Sequence, residues 1–157
     1  MAARYHPGMG APARTPFVDD YLAALLARAS HLISAEFHRV VQAGGFSVGE
    51  WRILATLTDS PGRSVGEVAR FALSKQPTVT RMLDRMEARG YVERFAHASD
   101  RRVTLVRITP AGQEVVAAML AQAKAHEQRV LQPLGAGHAR ELKAMLRRLI
   151  ELNDAPD

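Results

Sequence analysis

The chain has 157 residues, 47% of them hydrophobic and 24% charged, with a net charge of +5, enough for one domain with its own core. The absence of cysteine excludes disulfides, thiolate metal sites and thiol redox sensing. No apolar run reaches the roughly 18–20 residues that cross a bilayer, and the opening MAARYHPGMGAPAR lacks an apolar signal core, so a soluble cytoplasmic protein with no membrane partner is expected.

Residues 1–14, rich in Pro and Gly, read as a flexible tail. A first helix is predicted from Thr15 as cap and Pro16 at the first helical position. Asp19 and Asp20 favour its positive end. Val18, Leu22, Leu25, Leu32, Phe37 and Val40 roughly follow helical spacing up to Gly44–Gly45. The tetrapeptide SVGE then occurs twice, at Ser47–Glu50 and Ser64–Glu67. Ser followed three residues later by Glu is the capping-box pattern, so each copy starts a helix. The first runs to about Thr58, DSPGR turns, and the second is short, ending near Ala72.

LSKQPTVTRMLDRMEARG follows. Val79, Met82, Leu83 and Met86 form one apolar stripe, Ser74 or Gln76 is the expected cap, Pro77 falls in the first turn, and Gly90 ends the helix. YVERFA (91–96) and RVTLVRIT (102–109) read as two strands joined by a polar loop. Thr109–Pro110 opens a long helix, Gly135–Gly137 is expected to break it, and a last helix spans 139–152. Three compact helices followed by a β-hairpin make a winged helix-turn-helix. The fold class is therefore mainly α with a small β-hairpin wing. The winged unit (47–109) sits between long N- and C-terminal helical segments (15–45 and 110–153).

Charge is concentrated in this unit. Between Arg63 and Arg107 lie ten basic and five acidic residues, which together hold the whole excess charge. A local basic zone is the footprint of a polyanionic partner, though a solvated surface has the same composition. Gln76, Thr78, Arg81 and Arg85 lie opposite the apolar stripe of the third compact helix. Gln suits adenine and Arg suits guanine in the major groove. Lys75 and the hydroxyls of Thr78 and Thr80 suit phosphates, and Ser64, at a neighbouring helix start, joins these DNA-contacting candidates. An amphipathic surface helix would share this pattern. In the loop, Asp100 and Arg102 are two apart and can face the same way, with Arg101 between them. A carboxylate can hold a guanidinium in one pose by a bidentate bond, and a fixed Arg suits a narrow minor groove. A turn Asp beside ordinary surface arginines has the same signature.

SVGEVARFALSKQPTVTRMLDRMEARGYVER followed by DRRVTLVRITPAG resembles the MarR-type multiple-antibiotic-resistance regulators. Ile108–Thr109 stands where that family usually has Leu-Thr, a conservative change. The resemblance implies a bacterial homodimer bound to palindromic duplex DNA. It implies a wing arginine in the minor groove, here Arg102 with Asp100 as its orienting partner, and recognition contacts from Gln76 through Pro77 to Arg81. It further implies a cleft for a small effector between the winged unit and the dimer helices.

The apolar faces of the terminal helices need a partner, and a two-fold homodimer would set two reading helices roughly 34 Å apart. Closure of a monomeric core is the alternative. Trp51 and Arg52, with His38 nearby, suit an aromatic carboxylate, although Trp51 as core and Arg52 as surface cation account for them equally. His31 and His38 lie about 10 Å apart along one helix, too far for a shared zinc, so no metal and no cofactor are expected, a His cluster assembled across a dimer being the alternative. With no Gly-rich phosphate loop, nucleophile elbow or paired-carboxylate motif, an enzyme is not expected. The sequence points to a DNA-binding transcriptional regulator, a homodimeric repressor released by a small ligand. A winged helix used for protein contacts is the alternative.

Overall fold

The computed structural model describes residues 15–154; the expected tail at 1–14 lies outside them. The chain divides into two compact units, Met1–Ala35 and Glu36–Asp157. In the first unit, α1 (Phe17–Asp20) is a single turn. Tyr21 is extended, with φ −83° and ψ 116°, and α2 (Leu22–Ala43) begins after it. The expected single helix is thus broken. Thr15 does not cap it: Pro16 holds that position without a side-chain bond. The Phe17 and Tyr21 rings stack across the turn, their centroids 4.9 Å apart.

In the second unit, α2 ends at Gly45, in the left-handed region at φ 81°. The N–H of Phe46 donates to Val41 O at 3.2 Å and that of Gly45 to Gln42 O at 3.0 Å, which satisfies the last carbonyls. α3 (Val48–Leu57) and α4 (Val65–Phe71) both carry complete capping boxes from Ser47–Glu50 and Ser64–Glu67. α5 (Gln76–Ala88) is capped by Lys75 with no side-chain bond, so neither Ser74 nor Gln76 takes that role. It ends at Gly90 with the same 6→1 and 5→2 bonds as α2. α4 ends that way too, but there the left-handed residue is Leu73, at φ 54° and 78% exposed.

Val79, Met82, Leu83 and Met86 are all buried. Against them lie Ile53, Leu54 and Leu57 of α3 and Val68, Ala69 and Ala72 at α4. The strands β2 (Val92–Ala96) and β3 (Thr104–Ile108) add Val92, Val106 and Ile108 to this core. A third strand extends the hairpin: β1 (Arg63–Ser64) pairs with β3, Arg63 opposite Val106, giving the order β1-β3-β2. At two residues it is too short for an alternating pattern to announce it.

Thr109 caps α6 (Pro110–Leu131), accepting from Gly112 N at 3.0 Å while its hydroxyl donates to Gly90 O at 2.6 Å. The break after α6 comes earlier than Gly135–Gly137. Gln132–Leu134 form a 3-10 turn around Pro133, and α7 (Gly135–Asn153) already contains Gly137. No residue of α7 is buried, and Leu142, Met145, Leu149 and Ile150 of that helix are exposed.

Candidate nucleic-acid interface

α4 and α5, joined by the turn at Leu73–Ser74, form the helix-turn-helix, and α5 presents its outer face to solvent. Lys75, Gln76, Pro77, Thr78, Thr80, Arg81 and Arg85 are all exposed. They do not share one direction. By helical spacing Arg81 points most directly away from the buried stripe, Thr78 and Arg85 stand to one side of it and Thr80 to the other, whereas Gln76 lies nearest the stripe. The Gln76 amide occupies the space above Gly66 of α4, where an added Cβ would fall 2.8 Å from its nitrogen. The Thr80 hydroxyl donates to Gln76 O at 3.0 Å. Ser64 is committed to its cap: Oγ accepts from Glu67 N at 3.2 Å and donates to Glu67 Oε2 at 2.8 Å. These bonds, Ser64's backbone N–H foremost, hold the Glu67 carboxyl below its ordinary pKa, with Arg63 and Arg70 adding to the effect.

At the wing tip, Arg102 is 92% exposed on its side chain. Its backbone N–H and its Nε both donate to Asp100 Oδ1, at 3.0 and 3.2 Å. One carboxylate oxygen therefore serves two donors, in place of the bidentate fork anticipated from the sequence, and the guanidinium's terminal nitrogens stay directed outward. The two Arg102 donors, the backbone one first, lower the Asp100 pKa, with His97 contributing. His97 itself braces the turn, its Nδ1 accepting from Ser99 N at 3.2 Å.

The ten cations of the basic zone sort into two groups. Arg63, Arg70, Arg89, Arg94, Arg102 and Arg107 each pair with a carboxylate. Among the described residues, Lys75, Arg81, Arg85 and Arg101 make no ion pair. Those four stand on α5 and at the wing, so the uncompensated positive charge lies where a nucleic acid would meet the unit. Arg94, in the sequence one of ten cations with no motif of its own, lies on β2 and turns onto α5; its partners Asp84 and Glu87 lie ten and seven residues away, a spacing no local motif reveals.

Trp51 is half-buried and stands edge-on to Phe37, centroids 5.1 Å apart, and Phe37 stacks on His126 at 6.0 Å. A cleft of about 100 Å³ beside them is lined by Glu36, Phe37, Val40, Gln122, Ala125, His126 and Arg129. A wider one of about 410 Å³ lies between Val40, Ala43, Phe46, Val115 and Met119. His38, Trp51 and Arg52 line neither. No group of three metal-ligating side chains occurs among the described residues, and no helix among them is long and apolar enough to cross a membrane.

The MarR family model matches residues 46–104, the segment from the start of α3 to the wing. The chain is 40% identical to the MarR family transcriptional regulator SPO1453 from Silicibacter pomeroyi, covering 88% of this chain and 98% of that one with a TM-score of 0.78. The chain belongs to the MarR family. This MarR-family protein is also 31% identical over 131 residues to the HTH-type transcriptional repressor Mb2911 of Mycobacterium bovis, 83% of this chain and 94% of the relative. It superposes with a TM-score of 0.72, at 26% identity over 88% of this chain and 99% of the other, on the transcriptional repressor CouR bound to a 23-mer DNA duplex. It is thus a winged-helix, DNA-binding transcriptional regulator of a family whose members are regulators rather than enzymes.

Proposed function

We propose that this MarR-family regulator is a homodimeric repressor in the cytoplasm, in which residues 47–109 read a palindromic operator and residues 15–45 and 110–153 pair two copies. The observation that carries the reading is the coincidence, on α5 and the wing, of the unpaired cations Lys75, Arg81, Arg85 and Arg101 with the outward Arg102. α5 enters the major groove with Gln76 and Arg81 at base edges, and Thr78 and Thr80 beside phosphates with Lys75. Arg102, steadied by Asp100, enters the adjacent minor groove. Exposed apolar residues at both chain ends, Leu22, Leu25 and Leu26 on α2 and Met145 and Ile150 on α7, suit an isologous dimer. The test is selection of duplexes from a random pool by the intact protein, with sedimentation of the free chain. An enriched inverted repeat bound by a dimer supports the reading; no enrichment, or binding indifferent to salt, overturns it in favour of a winged helix that contacts proteins.

The effector belongs to the same proposal. An aromatic carboxylate would bind near Trp51, Arg52 and His38, and Trp51, the chain's one tryptophan, reports it by fluorescence. A ligand that releases DNA must bind the free protein more tightly than the complex by the same factor. Salicylate-like acids titrated into both forms test this; equal affinity for both, or none for either, excludes this class of effector.

A further inference from the structure

Arg94 sits in the middle of β2, opposite Val106 of β3, on the strand that leads from the reading helix out to the wing tip. Its side chain turns back onto α5 and is only 23% exposed. Nη2 donates to Asp84 Oδ1 at 2.7 Å and to the carbonyl of Thr80 at 3.4 Å. Nη1 donates to Glu87 Oε2, and the backbone N–H of Arg94 to Glu87 Oε1 at 3.0 Å. Thr80, Asp84 and Glu87 follow the i, i+4, i+7 spacing of a single helix ridge, beside the parallel ridge of Thr78, Arg81 and Arg85 on the outer side of α5. One guanidinium thus spans two turns of the reading helix while its own backbone is held in the wing's sheet. Burial alone would disfavour its charge, and the two carboxylates more than offset that. A charge so neutralised has little left for a phosphate, which argues against Arg94 as a DNA contact. It also silences two acids that would otherwise face the duplex beside the reader.

We propose that Arg94 is a positioning residue that locks the wing to the reading helix, so that Arg102 meets the minor groove in register with Arg81 in the major groove. This rests on the proposed mode of DNA reading. Without the lock the wing remains folded on β3 but hinges, and the Arg102 contact is lost on average.

The test uses full-length protein and a duplex it enriches from a random pool. Arg94→Ala should weaken binding about five- to tenfold, a large part of what one good groove contact contributes. In an Arg102→Ala background the same change should cost less than about twofold, because a contact already removed cannot be mispositioned. Arg94→Lys, which keeps the charge but not the fork, should behave nearly as the alanine variant does. The reciprocal change, Asp84→Ala with Glu87→Ala, removes two negative charges and on electrostatics alone would tighten binding. The lock predicts instead that the Arg102→Ala penalty shrinks in that protein. Equal effects of Arg94→Ala with and without Arg102, full retention of affinity by Arg94→Lys, or an undiminished Arg102 penalty in the double acid variant would overturn the lock and leave DNA reading intact. Failure of the wild-type chain to enrich any duplex would overturn both.

Discussion

Two glycines near the helical ends of the second unit should respond oppositely to the same substitution. Gly112 lies in the first turn of α6, against the chain that leaves α5. A Cβ there would fall 2.8 Å from Ile108 Cγ1 and 3.0 Å from the carbonyl carbon of Tyr91, and closer still to that carbonyl oxygen. The obstacle is backbone, and it cannot swing aside: Tyr91 O already accepts from Thr109 N at 3.0 Å, and Thr109 holds Gly90 O. Gly112→Ala must therefore prise α6 from β2 by a substantial fraction of an ångström. Overpacking of this kind costs about 1–3 kcal/mol or more, against at most about 1 kcal/mol gained from helix propensity. A net loss of roughly 1–2 kcal/mol corresponds to about 2–8 °C in Tm for a chain of this size. Gly137 is the control. It lies within α7, with nothing within 4 Å of an added Cβ, so Gly137→Ala should stabilise by about 0.5–1 kcal/mol. Urea and thermal unfolding of both variants beside the wild type would decide it. If Gly112→Ala unfolds at or above the wild-type midpoint, the reasoning from Tyr91 is wrong, whatever Gly137→Ala does.

Leu73 should be the opposite of a structural leucine: exposed and left-handed, it is replaced by Gly with a gain of about 0.5–1 kcal/mol by urea titration, since little packing is lost and the strain is relieved. The Glu67 carboxyl, held below its ordinary pKa, contributes stability that is present above the usual carboxylate range and lost as pH falls through the depressed folded value; Glu67→Gln should flatten that acid limb of the unfolding curve. Arg102→Ala should weaken specific DNA binding by about 1–3 kcal/mol and Asp100→Ala by less, because the guanidinium survives without its brace; a reversed order in gel-shift titrations, with both variants folded, refutes the pairing. Lys75→Ala should lower affinity for all duplexes and reduce the salt slope by about one unit, while Arg81→Ala relaxes preference at particular base positions; selection on both variants separates the two roles.

Local grammar carried much of this protein. The two SVGE boxes, the Thr109 cap, the Gly90 stop and the Val79–Met86 stripe act within one or two turns of chain, and each forms at the residues that specify it. The expected boundaries shifted at two helix ends. Pro133, not the glycines after it, ends α6, and α1 stops at Tyr21. β1 exists only because β3 offers it a ladder. The charged zone was legible as a total, but composition cannot say which cations are spent. Six of the ten find carboxylates, and only the fold brings Asp84 and Glu87 to Arg94 and leaves Lys75, Arg81, Arg85 and Arg101 facing solvent. Capping and periodicity are encoded by residues a few positions apart, whereas ion pairing depends on distances of a few ångströms between elements that the chain itself separates.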